Sequence, residues 1–348
     1  MKRVLVAMSG GVDSSVAAAL LLERGFDVIG VTLRMHDCRA GVSEPSRPCC
    51  GPGGRHDAEQ VAKALGIDHV VLDARTEFAM QVRGPAVKAY LSGKTPNPCI
   101  PCNQHIKFRF LLDRAPSFQA EHVATGHHAR IGKSSSGSLS LIRGSDPKKD
   151  QSYVLFPLAC SDHLWKIIFP VGDMTKEAVR QRAGELGLPV VDKEESQDLC
   201  FLPWGEDMPG LIESKDGEVL GEHRGISRYT IGQRRGLGVA QGEPRYVLGT
   251  RPAENVVVLG TEADLYSSYA EITDLCWAQG ALHETVSVHA QIRYGHRAVP
   301  AVIDRADRGA IVRFEKPQRA VTPGQALVCY QGDRVMGGGW IAGPRIVE

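Results

Sequence analysis

The chain contains no run of about 18 apolar residues, the length a helix needs to cross a bilayer, so no membrane span is expected. It has no excess charge: 41 Lys and Arg against 40 Asp and Glu leave a formal net charge of +1. That balance neither demands nor excludes a nucleic-acid partner, because one basic face can be offset elsewhere. Internal repeats and long low-complexity tracts are missing, which removes repeat architectures. The start "MKRVLVAMSGG" has the basic residues of a signal peptide, but its apolar stretch is five residues long and ends in a polar glycine loop. A cytoplasmic location is therefore expected. What remains is 348 residues, 43% hydrophobic and 23% charged, the composition of a soluble chain with two or three domains.

The first half alternates strand and helix patterns. "RVLVAM", "DVIGVTL", "DHVVLDA" and "HVATG" have strand character, and Ser14 to Arg24 and "RHDAEQVAKALGI" have helix character, the latter ending at Gly66. Such alternation predicts an α/β fold with a doubly wound parallel sheet, whose ligands sit beyond the carboxyl ends of the strands. "GKSSSGS" is a hairpin tip or loop. Past about residue 203 helical patterns give way to short β-rich runs, "RYVLG", "NVVVLG", "VSVHAQIRY", "AIVRFE" and "ALVCYQGDRVMGGGWI". The division expected is a catalytic domain over 1–203, a small linking domain over 204–264 and a C-terminal β-barrel or sandwich over 265–348.

One further absence directs the chemistry. "SGGVDSS" joins the first strand to the first helix, the setting of an anion site, yet no lysine follows the glycines as in GxxxxGK[ST]. Transfer of a γ-phosphate loses support. Gly10 and Gly11 permit close backbone approach to phosphate, and Ser14 or Ser15 can cap the helix or donate to an oxygen. Asp13 beside a phosphate implies a bridging divalent cation, Mg²⁺.

Nine cysteines, at 38, 49, 50, 99, 102, 160, 200, 276 and 329, make an odd count, and permanent disulfides are not expected in a reducing cytosol. Cys160, Cys276 and Cys329 fit inert packing. Cys99 and Cys102, in the Pro-rich "TPNPCIPCNQHIKF", and Cys200, in "ESQDLCF", have polar neighbours instead. Pro96, Pro98 and Pro101 argue against helix before Asn103. Three readings stay open on the residues alone. A zinc site has only one CxxC, since the adjacent Cys49 and Cys50 chelate poorly. An iron–sulfur cluster would use Cys99, Cys102 and Cys200. A redox pair of thiols is the third, with His105 and Lys107 as candidate positive neighbours.

The loop "SGGVDSS" resembles that of the N-type ATP pyrophosphatases, which adenylate a substrate and release pyrophosphate; the chemistry is then at the α-phosphate, where no loop lysine is needed. "TPNPCIPCNQHIKF", "ATGHHAR", "DPKKDQSYVL", "FPVGDMTKEAVR", "ESQDLCF", "YTIGQRRGLG", "IRYGHRAVPA" and "AVTPGQALVCYQGDRVMGGGWI" follow in order over nearly the whole chain. Together they resemble the bacterial tRNA-specific 2-thiouridylases. The resemblance implies ATP-dependent adenylation of the C2 oxygen of wobble uridine 34 in tRNAs for Lys, Glu and Gln, followed by sulfur transfer from a cysteine persulfide. A sulfur-carrier protein or a cysteine desulfurase would supply the sulfur.

By the same resemblance Cys200 carries the persulfide, Cys102 is the partner thiol, and a transient Cys102–Cys200 disulfide closes the cycle. Ala7, Met8, Ser9, Gly10, Gly11, Val12, Asp13 and Ser14 hold the triphosphate, and Leu33 and Gly126 contact the adenosine. Asn97, Pro98 and Cys99 line the target base; His127, Lys149, Asp150, Gln151, Arg293, Tyr294 and Gln325 meet the tRNA. Two positions depart from the family pattern: Cys99 stands where many members have Asp, which leaves a [4Fe–4S] cluster open, and His128 stands where Tyr is expected. Lys148, Lys149 and Arg297 on their own are solvated surface groups. Over 221–260 six arginines (224, 228, 234, 235, 245, 251) face three glutamates (222, 243, 254), a patch suited to phosphate contacts or to internal ion pairs. Rival readings are another adenylating enzyme of this loop class, such as a GMP or lysidine synthetase, and a non-enzymatic RNA- or metal-binding protein. No separate glutaminase module supports the first, and neither rival synthetase needs the cysteine pair.

Overall fold

Val4, Leu5 and Val6 are consecutive, apolar and fully buried, as suits a strand covered on both faces of a parallel sheet. The computed structural model describes residues 1–36, 52–133, 137–193, 208–239, 243–278, 285–306 and 309–343. Its first half contains β1 (Arg3–Ala7), β2 (Asp27–Arg34), β3 (Asp68–Asp73), β4 (His122–Thr125), β5 (Ala129–Lys133), β6 (Leu139–Arg143) and β7 (Ile167–Ile168). Five of these form the parallel sheet β3-β2-β1-β4-β7, and β5 and β6 pair antiparallel; residues 134–136 of "GKSSSGS" lie outside the described residues. The chain steps outward from β1 to β2 and β3, then crosses to β4 on the other side. The crevice between β1 and β4, at their carboxyl ends, is the topological switch point.

Helix α1 (Val12–Glu23) buries Val12, Val16, Ala17, Ala18 and Leu21 in one core with Val4, Val6 and Ala124, and with Val179 and Ala183 of the helix Lys176–Glu185. Helix α2 (Pro52–Leu65) adds Ala58 and Val61. It begins three residues before the expected Arg55, since proline is tolerated at a first helical position. The Pro-rich stretch departs further. Helix begins at Cys99, not Asn103: a turn at Cys99–Pro101 continues as wider π-type turns over Cys102–Arg109, and Cys102 N–H donates to Pro98 O at 3.1 Å. Pro101 falls in the first turn, where its missing N–H costs no helical bond.

The chain forms two compact units, one of residues 1–83, 98–201 and 333–335, the other of 84–97, 202–332 and 336–348. The second contains two sheets. In the smaller, β8 (Gly210–Ser214), β9 (Val219–His223), β10 (Tyr246–Arg251) and β11 (Val256–Gly260) take the order β10-β11-β8-β9 over Ile212, Val247, Val257 and Leu259. The larger comprises β12 (Tyr266–Trp277), β13 (Val286–Gln291), β14 (Val299–Ala306), β15 (Gly309–Arg319), β16 (Ala326–Gln331) and β17 (Arg334–Gly343). The order β12-β15-β14-β13-β16-β17, with β12 also pairing to β17, closes a six-stranded barrel. Ile272, Val288, Ile303, Val312, Leu327 and Ile341 fill it. Within this unit Thr95 N–H donates to Pro323 O, tying 84–97 to the barrel.

Leu5 lies mid-strand in the central β1 with no exposed surface. Leu5→Ala is expected to cost about 2–5 kcal/mol, the usual range for a buried leucine truncation, read as a lowered denaturant midpoint.

Candidate nucleotide-binding site

At the switch point the backbone, not side chains, shapes the site. Gly10 has φ +70°, a left-handed conformation that favours glycine, and a Cβ there would lie 2.1 Å from Gly54 O in α2. A Cβ on Gly126, just after β4, would lie 2.4 Å from Ser14 N and 2.5 Å from Asp13 C. The loop thus abuts α2 at Gly10, and the start of α1 that follows it abuts the end of β4 at Asp13 and Ser14. Thr32 Oγ1 donates to Met8 O at 2.9 Å and pins the loop's other end. Ser14 and Ser15 do not cap the helix as one expectation had it. Gly11 is the N-cap, with no side-chain cap bond, and both hydroxyls donate back to Gly11 O at 3.0 and 2.9 Å. Ser14 Oγ also accepts from Ser9 N–H at 3.3 Å, which closes the loop on itself.

A cavity of about 260 Å³ opens here, near the lower end for small-ligand pockets. It is lined by Ala7, Met8, Ser9, Gly11, Val12, Asp13, Ser14, Leu33 and Gly126, nine of the ten residues nominated for ATP; Gly10 sits behind, against Gly54. His127 and Gln151, nominated for tRNA, also line it.

The charges on the wall are one-sided. Arg55, Lys107, Lys176 and Lys193 line the cavity with a single carboxylate among the described lining residues, Asp13. Neither Lys176 nor Lys193 was singled out by the sequence reading. Lys176 Nζ lies 2.6 and 2.7 Å from the two oxygens of Asp13, and His128 Nε2 lies 3.4 Å from one of them. Burial works against the Asp13 carboxylate, but the bonds from His128 and Lys176 outweigh it and hold its pKa below the ordinary value. Gln151 fixes His128: its Oε1 accepts from His128 N–H, and its own N–H donates to His128 O, both at 2.9 Å. Lys193 Nζ donates to Gly10 O at 2.9 Å and to the Asp57 carboxylate. The available signal for Lys176 was its place: a lysine at the first position of a helix opposes the helix dipole.

His127 is buried, with Nδ1 2.7 Å from Thr125 Oγ1, and burial pushes its pKa well down, so the ring is neutral at neutral pH. Cys102 is half-buried, its Sγ 3.9 Å from Met35 Sδ, and Met35 lines the cavity. Cys99 is exposed one turn earlier and Pro98 is buried. Cys200 lies outside the described residues, as do Cys38, Cys49 and Cys50. Cys329 is fully buried, as packing predicts, and burial raises its pKa to about 12. Cys160 and Cys276 are corrected: each is disulfide-bonded, and Cys160 is exposed.

Several nominated tRNA contacts have internal roles. The Asp150 carboxylate accepts from Gly144 N–H, Ser152 N–H and Arg143. Gln325 Nε2 donates to Thr95 O at 2.8 Å within the second unit. Tyr294 is 49% exposed, Arg293, Asn97 and Lys149 are half-buried, and Lys148 and Arg297 are exposed. In the arginine patch, Arg251 is paired with Glu213 and Glu254, so part of that charge is internal. Among the described residues no cluster of three or more His, Cys, Asp or Glu could hold a metal ion. No described helix is long and apolar enough to cross a membrane.

A glycine loop at the switch point of a doubly wound sheet, facing a cation-lined cavity, defines a nucleotide-binding domain of the α/β class. Comparison with known families narrows the class. A family model described as a tRNA methyl transferase HUP domain matches residues 2–204, a PRC-barrel domain model of the same group matches 204–261, and an aminomethyltransferase β-barrel model matches 268–341. Full-length relatives carry the name tRNA-specific 2-thiouridylase MnmA. The one from Chloroflexus aurantiacus is 45% identical over 99% of this chain and 100% of its own length. Those from Geobacter metallireducens and Carboxydothermus hydrogenoformans are 44% and 45% identical, each over 98% of this chain and 96% and 97% of their own lengths. The chain belongs to the tRNA-specific 2-thiouridylase family.

Two outcomes follow from this geometry. Gly126→Ala is expected to push the loop 8–14 out of place and weaken ATP binding at least tenfold by calorimetry, with the fold retained by circular dichroism. Because native His127 resists protonation, the unfolded chain binds more protons below about pH 6.5, and stability falls as pH drops through that value. His69, His105 and His122, also shifted down by burial, add to the effect. Denaturant midpoints should decline from pH 7.5 to 5.5, and less so in His127→Asn.

Proposed function

We propose that this chain inserts sulfur at C2 of the wobble uridine, position 34, of tRNA. A carbonyl oxygen is a poor leaving group, so ATP first adenylates it at the α-phosphate, releasing pyrophosphate. The loop amides near Gly10 and Gly11 and the cations on the cavity wall favour the charge that develops on the departing pyrophosphate. The terminal sulfur of a Cys200 persulfide then attacks C2, and AMP leaves with the former C2 oxygen. Cys102 thiolate attacks the Cys200 sulfur, the base departs as 2-thiouridine, and the two cysteines remain as a disulfide. A thiol reductant resets them by taking up the oxidation as its own disulfide.

The placement of Cys102 carries this reading. A thiol one side chain away from an adenylating cavity, through Met35, is what sulfur insertion needs and what a synthetase that only adenylates does not need. Mg²⁺ would be held by Asp13 together with phosphate oxygens, and supplies charge neutralisation at the triphosphate. For a [4Fe–4S] cluster the described residues offer two thiols, Cys99 and Cys102, one helical turn apart, so no step is routed through one. Asn97, Pro98 and Cys99 serve the flipped base; His127, Lys149, Asp150, Gln151, Arg293, Tyr294 and Gln325 serve the tRNA, the buried or internally bonded ones by shaping the surface. We assign Lys, Glu and Gln tRNAs as substrates, a sulfur-carrier protein or cysteine desulfurase as donor, the cytoplasm as location, and domains over 1–203, 204–264 and 265–348.

Incubation with ATP, a persulfide source and an anticodon stem-loop, followed by nucleoside mass analysis, tests the reaction. The product is expected to be 2-thiouridine with pyrophosphate released in equal amount. Cys102→Ala and Cys200→Ala should each lose it while still binding RNA. Full 2-thiouridine from either variant would rule out the two-thiol scheme. Iron and acid-labile sulfide in proportion to activity in anaerobic protein would favour the cluster.

A further inference from the structure

The sequence offers the Cys102 thiol two positive neighbours, His105 and Lys107, and the fold chooses between them. Burial, and then the Arg109 charge, push the His105 pKa down, so its ring is neutral at neutral pH. Lys107 lines the cavity, and its charge, second to burial, helps to keep the cavity-lining His127 neutral. In an α-helix two residues five apart point roughly 140° away from each other. Cys102–Arg109 winds instead in π-type turns, whose bonds step five residues, as from Phe110 N–H to His105 O. Five residues then make about one turn, and Lys107 returns to the side of Cys102. Asn103, 2% exposed, fixes these turns by donating from Nδ2 to Val154 O at 3.1 Å. The thiol and the lysine meet the same cavity, since Met35, 3.9 Å from Cys102 Sγ at its Sδ, lines it beside Lys107. Ser152–Cys160, packed on the same turns, has no charged residue. In the other segments packed there, Arg75 pairs with Asp73, Glu77 with Arg114 and Arg109 with Asp113, and Arg83 is exposed. The remaining charges on the cavity wall are Arg55, Asp13, Lys176 and Lys193.

We propose that Lys107 is the counter-ion of the Cys102 thiolate, brought to it by the π-type turns, and that it readies Cys102 for attack on the Cys200 sulfur. The inference rests on the two-thiol reading above and deepens it. A free thiol is mostly protonated at neutral pH, and only the thiolate is a nucleophile. The Cys102 proton leaves to solvent before the attack. The Cys102–Cys200 bond then forms, the bond between Cys200 and the base sulfur breaks, and its electron pair leaves on the base sulfur, where a solvent proton restores the neutral base. Met35, 7% exposed, covers the thiol with a thioether that brings no competing charge. Lys107 acts through the thiolate and not on the base, so it is a positioning residue.

Alkylation of the full chain by iodoacetamide, read at the Cys102 peptide by mass spectrometry across a pH series, tests this without tRNA or turnover. In Lys107→Gln the rate near neutral pH should fall by about threefold to tenfold, and it should meet that of the unsubstituted chain about two pH units above the free-thiol range, where Cys102 is ionised in both. Lys107→Arg should recover most of the rate. His105→Gln should leave the profile unchanged, and so should Lys107→Gln at the exposed Cys99. Lys107→Met, which also removes the charge, reads the same effect should Lys107→Gln fail to fold by circular dichroism. A loss of equal size at every pH would mean altered access to the thiol and would overturn the assignment. So would a matching loss in His105→Gln, or an unchanged Cys102 profile with weaker ATP binding, which would make Lys107 a nucleotide cation. Absence of 2-thiouridine from the unsubstituted chain is a separate result, and it defeats the two-thiol reading itself.

Discussion

Main chain lies against main chain where β4 ends beside the start of α1, and the cavity depends on that contact. Gly126 can approach Asp13 and Ser14 only because it has no side chain, and Gly10 approaches Gly54 under the same condition. These approaches set the loop at the crevice where the strand order reverses. They fix the loop by main-chain contacts rather than by flexible side chains, so the entropy of ordering it is met during folding. The serine hydroxyls that bond back to Gly11 O, and Thr32 on Met8 O, lock the same loop from within.

How far the sequence alone reaches depends on the range of the interactions. The four longer strands of the parallel sheet were visible because their apolar runs are local signals, reinforced after β1 and β4 by the glycines at 10, 11 and 126. Nine of the ten residues nominated for the nucleotide line one cavity because most are contiguous and the other two, Leu33 and Gly126, stand at the carboxyl ends of β2 and β4. The helix start at Cys99 was missed because prolines were weighed as breakers, although the first turn tolerates them. β12 and β14 were missed because serines, acids and a proline interrupt their apolar alternation, and only closure of the barrel selects strand for them. Lys176 and Lys193 were invisible as site residues, since no spacing rule links them to Asp13 and Gly10 across more than 160 positions. The cysteine readings parted in the same way. Burial of Cys329 follows from its apolar neighbours, whereas disulfide bonding of Cys160 and Cys276 depends on three-dimensional proximity that no local pattern encodes.

The departures from the family pattern acquire physical content here. His128, where Tyr is expected, places a ring nitrogen toward Asp13 and is buried at 2% exposure, so its part is to hold a carboxylate rather than to stack on a base. Its Nδ1 has no hydrogen-bond partner among the described residues, so the ring is held from its Nε2 side and through its backbone. Cys99, where many members carry Asp, stands exposed one turn before Cys102, on the same side of the first helical turns.

The small sheet β10-β11-β8-β9 differs from the barrel in having two outer strands, and unpaired strand borders are templates for unwanted self-association. Here both border pairings are broken in register, β10 with β11 between Val247 and Gly249, and β9 with β8 between Ile212 and Glu213. Each irregularity twists its border away from the flat, continuous ladder that a second chain would need in order to add on. An enzyme that must meet a large polyanion at working concentration thereby keeps exposed Val219 and Leu211 on strands that cannot readily seed aggregates.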